Sequence, residues 1–380
     1  MAKAAYYAII IGLASAFILM MGISVPLSVT PVQAENDTDV VGTGNQELFN
    51  EFLKVQPKAL SDEELTKAQN IVLADDKVKQ VINNRPYELM SQGFVGNMKT
   101  NPGDWKTQLN FNIGNETQLI VVVDLTENKI LSVEREPIGD YLSNERSFAL
   151  DGYSGMNTIK GLEMEAEAPS FSPNAAYSFT AFTLNAAETA ATTANLCSPT
   201  HVSDSYWMQT GFDFDTTSPF AHLVWTDTGK SCLSQSISSS SVPYSSGHTY
   251  SFFIQANPTS HTWTVFVEKD TGESFTTSRS GMNQYTMLTS DDHTSVWFEN
   301  SNTIQGSGTW DSQFSTDPNA MAFLQPSGSS NWFGWDFDYQ TIADNCSSAT
   351  HPNNVISGDL EFANTATWDL TTMADDWPAC

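Results

Sequence analysis

Hydrophobic positions change their period along the chain, and the change divides it. In LSDEELTKAQNIVLADDKVKQVI, Leu65, Ala68, Ile71, Val72, Val78 and Ile82 recur at mostly helical spacing. Ser61 and Glu64 stand as the N-cap and third residue of a capping box, and Asp75-Asp76 marks a break or kink. Three runs of strand character follow: DWKTQLNFNI, TQLIVVVDL and KILSVERE, the last two joined by Thr126-Glu127-Asn128. One helix on a small antiparallel sheet predicts a cystatin-like α+β domain over residues 45–137.

From about Ala175 the period becomes two. Short runs rich in aromatic and β-branched residues alternate with Ser/Thr/Gly/Pro turns: AAYSFTAFTL, YWMQTGFDF, FAHLVWTD, TYSFFIQA, TWTVFVEKD, SVWFENSN, FGWDFDYQTI and GDLEFAN. Many short strands with regular punctuation predict a β-sandwich or jelly roll over residues 175–380. The stretch between, 138–174, contains GLEMEAEAPSFSPN and reads as an acidic, Pro-bounded linker. The expected fold class is mainly β, an antiparallel sandwich preceded by a small α+β domain.

The N-terminus adds a location. One Lys leads into an apolar run from about Ala4 to Ile23, and Val32-Gln33-Ala34 precedes polar sequence. Residues 1–34 read as a secretory signal, or, since the run approaches the roughly 20 residues that span a bilayer, as an N-terminal membrane tether. Either way the remainder is expected outside the cytoplasm, secreted or at the cell surface. Four widely spaced cysteines, Cys197, Cys232, Cys346 and Cys380, agree, because an exported chain of that kind favours disulfides. Sequential pairing, Cys197–Cys232 and Cys346–Cys380, closes the two shortest loops and is the expected connectivity. Sequons at Asn36, Asn115 and Asn345 are compatible with surface glycosylation.

Charge narrows the partners. The formal net charge is -28, and beyond Gly161 the only basic residues are Lys230, Lys269 and Arg279. Such a surface repels phosphate backbones, so nucleic acid is not an expected partner.

Most common chemistries have no sequence signature here: no G-x-S-x-G, H-E-x-x-H, Walker loop or G-x-G-x-x-G after a strand. The six His residues show no ligand spacing, so no metal and no cofactor is expected. Carboxylate and amide chemistry on strands remains. Gln209 sits in the middle of SYWMQTGFDF, and Glu299 follows Val296-Trp297-Phe298 on another aromatic strand. A carboxylate beside an apolar face requires a partner, and an amide that donates a hydrogen bond is a suitable one. A Glu so placed deprotonates water as a general base. The Gln N–H stabilises the oxyanion formed at the attacked carbonyl. Gln209 shares strand parity with Trp207, and Glu299 shares it with Trp297, which would set an indole beside each polar group.

These residues carry a resemblance. Q-T-G-F-D-F, then W-T-D, then PYSSGHTYSFFIQANPTSHTWTVFVEKDTGESF, then VWFEN, resembles the glutamic peptidase (eqolisin) family over about residues 175–365. The resemblance implies a concanavalin-like jelly roll and a metal-independent acid endopeptidase acting on polypeptide. Gln209 and Glu299 would be its catalytic dyad; Trp207 and Trp297, set beside them by strand parity, would line a peptide-binding groove, although Trp297 stands two residues before the Glu where the family pattern has three. The family's W-V-G-I-D-G-like strand before the Gln strand is replaced here by CSPTHVSDSYW. A long insert after Glu299, from about Ser307 to Asn354, is expected to form a lid or cover the groove. The plant-type neprosin peptidases share the architecture more loosely. Residues 60–136 resemble the accessory domains of copper amine oxidases and, loosely, PepSY-type domains. That region is expected as a pro-region or inhibitor-like cover.

A rival reading stands beside this one. The same sandwich would serve as a non-catalytic extracellular module binding glycans or a cell-surface protein, with Trp and Tyr stacking on sugar rings. GFDFD (211–215) and GWDFD (334–338) set paired Asp residues on one strand face, which suits either calcium or ordinary alternation.

Overall fold

The structure, a computed structural model, describes residues 45–114, 117–137, 146–152, 159–168, 177–189, 205–215, 220–227, 235–257, 259–260, 262–280, 294–304, 319–326, 330, 332–334, 339–344 and 366–367. Among the described residues three helices come first: α1 (Gln46–Val55), α2 (Asp62–Ala74) and α3 (Asp76–Ile82). Strands β1 (Tyr87–Asn97), β2 (Lys106–Ile113), β3 (Thr117–Asp124) and β4 (Lys129–Pro137) follow. Next are β5 (Arg146–Gly152), β6 (Ile159–Glu167), β7 (Tyr177–Thr189), β8 (Ser205–Asp215), β9 (Phe220–Asp227) and β10 (Gln235–Ser236). The remaining strands are β11 (Thr249–Asn257), β12 (Thr262–Lys269), β13 (Glu273–Ser280), β14 (Thr294–Ile304), β15 (Asn319–Pro326), β16 (Phe333–Gly334), β17 (Tyr339–Asp344) and β18 (Ala366–Thr367).

The strands form two antiparallel sheets. The long one has eleven strands in the order β16-β15-β6-β11-β12-β13-β1-β2-β3-β4, with β18 paired to β15. The short one has seven, β10-β9-β8-β7-β14-β5-β17. The molecule is mostly β, and its sheets stack as a jelly-roll-like sandwich. Side-chain alternation locates the interface. Phe212 of β8 meets Tyr250 and Phe252 of β11 edge-on at 5.3 and 5.0 Å between ring centroids. Trp225 of β9 lies 6.0 Å from Phe275 of β13. These inner faces build the sandwich core, where Met208, Leu223, Phe252, Val265 and Val267 are all buried.

The outer face of the long sheet carries all three helices. Phe253 and Phe266 are register partners and have the parity opposite to Phe252 and Val267. On them α1 lays Phe49 and Phe52; the Phe52 and Phe266 rings stack at 4.0 Å, and Phe49 stacks on Phe253 at 4.9 Å. Trp332 closes this cluster. Further along the same face α2 and α3 bury Ala68, Val72 and Val78 against Leu109, Phe111, Leu119 and Val121. The capping box is present: Ser61 accepts from the Glu64 N–H while the Glu64 carboxylate accepts from the Ser61 N–H. Asp75 makes the predicted break, ending α2 and capping α3 by accepting from the N–H groups of Lys77 and Val78.

Residues 45–137 do not stand apart from the sandwich. β1 pairs with β13 from Phe94↔Thr276 to Asn97↔Glu273, which makes the N-terminal strands a continuation of the long sheet. Gly93 permits the close approach, since a Cβ there would collide with the Phe275 ring. The inner face of this continuation meets the edge of the short sheet through buried amides. Gln108 and Asn110 donate to the Ser236 carbonyl at 3.0 and 2.9 Å, and the Ser236 N–H donates to Gln118 at 2.7 Å. Glu134 receives the hydroxyls of Ser238, Ser239 and Ser240. Those bonds hold its carboxyl below the usual range against the opposing effect of burial.

Two expectations need correction. The stretch 138–174, read as a linker, supplies β5 to the short sheet and β6 to the interior of the long one. The insert after β14, read as a lid or cover, supplies β15 to the long sheet and β17 to the short sheet's edge. In β6 the alternation Leu162-Glu163-Met164-Glu165-Ala166 is a strand pattern whose charge content disguised it. The expected strand GDLEFAN and the four cysteines, Cys197, Cys232, Cys346 and Cys380, lie outside the described residues, as do residues 1–44.

Candidate active site

β8 follows its sequence alternation. Met208, Thr210 and Phe212 turn to the inner face, at 1%, 0% and 0% exposure. Gln209 and Gly211 therefore belong to the outer face of the short sheet. Gln209 is nonetheless only 5% exposed. An amide so deeply placed must have hydrogen-bond partners, and Gln209 is engaged in the structure.

One strand, β7, separates β8 from β14, and its register relates the two expected site residues. Gln209 stands opposite Asn185, which stands opposite Trp297. The next rung on that face runs Gly211, Thr183, Glu299 and Leu150. The rung on the other side holds Trp207, Ala187 and Ser295. Trp207, Gln209, Trp297 and Glu299 thus share one face of one sheet. Two strand spacings and a two-residue offset separate Gln209 from Glu299, about 12 Å between Cα atoms.

Sequence reasoning found the middle strand, as AAYSFTAFTL, but not its place between β8 and β14. Asn185 and Thr183 occupy the positions between the amide and the carboxylate, and β7 carried no motif to mark them. Asp213 and Asp215 continue the same face along β8, opposite His222 and Phe220 of β9. Among the described residues no group of three His, Cys, Asp or Glu is arranged to hold a metal ion. No helix of the described residues is long and apolar enough to cross a membrane. A cleft lined by Asp62, Thr66, Lys67, Asn70 and Asn128 belongs to the helix layer and contains none of the expected site residues.

No family model matches this chain, and no curated protein matches it. Among solved structures it is similar to scytalido-glutamic peptidase bound to a transition-state analogue inhibitor, at 13% identity and a TM-score of 0.36. That match covers 60% of this chain and 98% of the other. SCP-B, a member of the eqolisin family in complex with a tripeptide, gives 12% identity, a TM-score of 0.34 and the same two coverages. Lectin I from Ulex europaeus, bound to a methyl glycoside of α-L-fucose, gives 13% and 0.22, over 57% of this chain and 86% of the lectin. At this distance these are similarities of chain course, not of activity.

Proposed function

We propose that the chain is an exported, metal-independent acid endopeptidase in which Glu299 and Gln209 act together on a polypeptide substrate. The single observation that supports the reading is the register, by which positions 209 and 299 have the same parity on one sheet with one strand between them. In the proposed reaction Glu299 takes a proton from water as its oxygen attacks the scissile carbonyl carbon. The Gln209 N–H stabilises the negative oxygen of the tetrahedral intermediate. Glu299 then returns the proton to the leaving nitrogen as the C–N bond breaks. Trp207 and Trp297, on the same face, would wall the groove. As the base, Glu299 must be ionised to take the proton, so activity is expected to fall at the acid end of the range.

The test is cleavage of denatured casein between about pH 3 and pH 7 by the full chain, Glu299→Gln and Gln209→Ala. The expected result is acid activity in the parent, reduced on the order of 100-fold or more in each variant while both stay folded. Full activity in Glu299→Gln would sink the dyad. No activity in the folded parent at any pH would leave a sandwich that works by binding, and a glycan screen would then be the next measurement.

A further inference from the structure

β6 places two carboxylates on the outer face of the long sheet, under the start of α1. Glu163 stands opposite Phe253 and is 0% exposed. Its Oε1 accepts the Asn45 N–H at 2.9 Å, immediately before α1 begins. Its Oε2 is buried and has no hydrogen-bond partner. Two residues on, Glu165 stands opposite Ser251. The Asn45 amide donates to Glu165 at 2.6 Å and to the Ser251 hydroxyl at 2.7 Å. One residue at the entry to α1 therefore holds both carboxylates.

The charged surroundings are one-sided. Along its own face of β6, Glu163 is followed by Glu165 and Glu167. Its register neighbours on β11 and β15 are Phe253 and Phe323, and those of Glu165 are Ser251 and Met321. α1 brings Glu47 in its first turn, while its Lys54 is in the last turn and paired with Glu51. Lys160, the nearest cation along β6, has inner-face parity. An ionised carboxylate with one bare oxygen among Phe49, Phe253 and a second carboxylate is disfavoured, and the neutral acid is favoured.

We propose that Glu163 and Glu165 make the seating of α1 on the long sheet conditional on protonation, so that the helix is clasped in acid and loosened above neutrality. Burial pushes the Glu163 carboxyl up to about 8, with the Asn45 N–H pulling the other way and Glu165 adding to the rise. Burial raises Glu165 as well, against the Asn45 amide. The folded chain then holds a proton that the unfolded chain releases near the ordinary value of 4.5. Stability is complete below that ordinary value, falls as pH rises through the interval, and the loss is complete above about 8. The inference is independent of the proposed peptidase activity, since the clasp lies on the other sheet and would operate in a binding module equally well.

Hydrogen exchange on the full chain tests it, with rates corrected for the intrinsic effect of pH. Amides of 46–55 are expected to lose protection about tenfold or more between about pH 5 and pH 9, beyond any loss in β11 and β12. Glu163→Gln, which keeps the acceptor for the Asn45 N–H and cannot ionise, is expected to remain protected at both. Unchanged protection of 46–55 in the parent, or an equal loss in Glu163→Gln, would overturn the proposal. Should Glu163→Gln fail to fold, Glu165→Gln is read in the same way, with a smaller recovery expected.

Discussion

On the outer face of the long sheet, Glu163 stands in a rung with Phe253 and Phe266, roofed by α1. On the outer face of the short sheet, Gln209 stands in a rung with Asn185 and Trp297, and Glu299 is one rung away. Both rungs pair a polar residue with aromatic ones, but among the described residues only the first is covered by a helix. Under α1, burial dominates: it pushes Glu163 up to about 8, and on the same face it pushes Glu268 up to about 7 against the nearby Lys99. A carboxylate on an aromatic strand therefore does not declare its role. Whether it titrates as a structural acid or works as a base depends on what lies above it, and that is a matter of topology.

The comparison also separates the helix layer from the proposed chemistry. As a pro-region, residues 45–137 would be expected over the Gln209 face; their described helices lie instead on the far side of the other sheet. The largest effect we expect is from deleting them. Removal strips four strands from the long sheet, exposes the edge of β13 and uncovers Phe253 and Phe266. The expected product is an aggregating chain with no cooperative thermal transition. A folded truncated chain with raised casein cleavage would reverse this and restore the pro-region reading.

A smaller break of the same face is Phe52→Ala. Its ring stacks on Phe266 at 4.0 Å and is 0% exposed. The cost expected from denaturant unfolding is about 3–5 kcal/mol, with little change in the denaturant slope. Proposed activity on the other sheet should survive wherever the variant stays folded. Equal loss of activity and stability under conditions where the variant is fully folded would mean that the two faces are coupled.

How legible was this in the sequence? The capping box at Ser61, the break at Asp75 and the aromatic strands β8, β9, β11 and β12 stood out, because local chemistry fixes them. α1 was missed although Leu48, Phe49, Phe52 and Val55 make an apolar stripe, since the helical reading began only at Leu60. β6 was missed because its acidic content looked like a linker, when its period of two was the better signal. The rung relation of Gln209 and Glu299 could not be read from local pattern at all. It depends on β7 inserting between β8 and β14, and no local residue choice states which strand becomes whose neighbour.

The smallest effect serves as the control for both faces. Ser61→Ala removes the N-cap acceptor of α2, so the Glu64 N–H loses its bond and the reciprocal bond from Ser61 loses its geometry. Loss of such a cap costs about 1 kcal/mol, measurable as a lower unfolding midpoint. α2 packs on β2 and β3, far along the sheet from Glu163 and on the other sheet from Gln209. The Ser61 N–H, which the variant keeps, and the Ser61 hydroxyl, which it loses, together hold the Glu64 carboxyl low. The lost N-cap acceptance is independent of pH, while the pH-dependent share of the loss should appear above the carboxyl's ordinary value and fade in acid. That is the opposite sign to the α1 clasp, whose stability fades as pH rises. If Ser61→Ala instead reproduced the alkaline loosening of 46–55, the pH response would be a general property of a weakened fold. If it lowers the midpoint by the expected small step and leaves 46–55 responding to pH as the parent does, the response belongs to the buried carboxylates beneath α1.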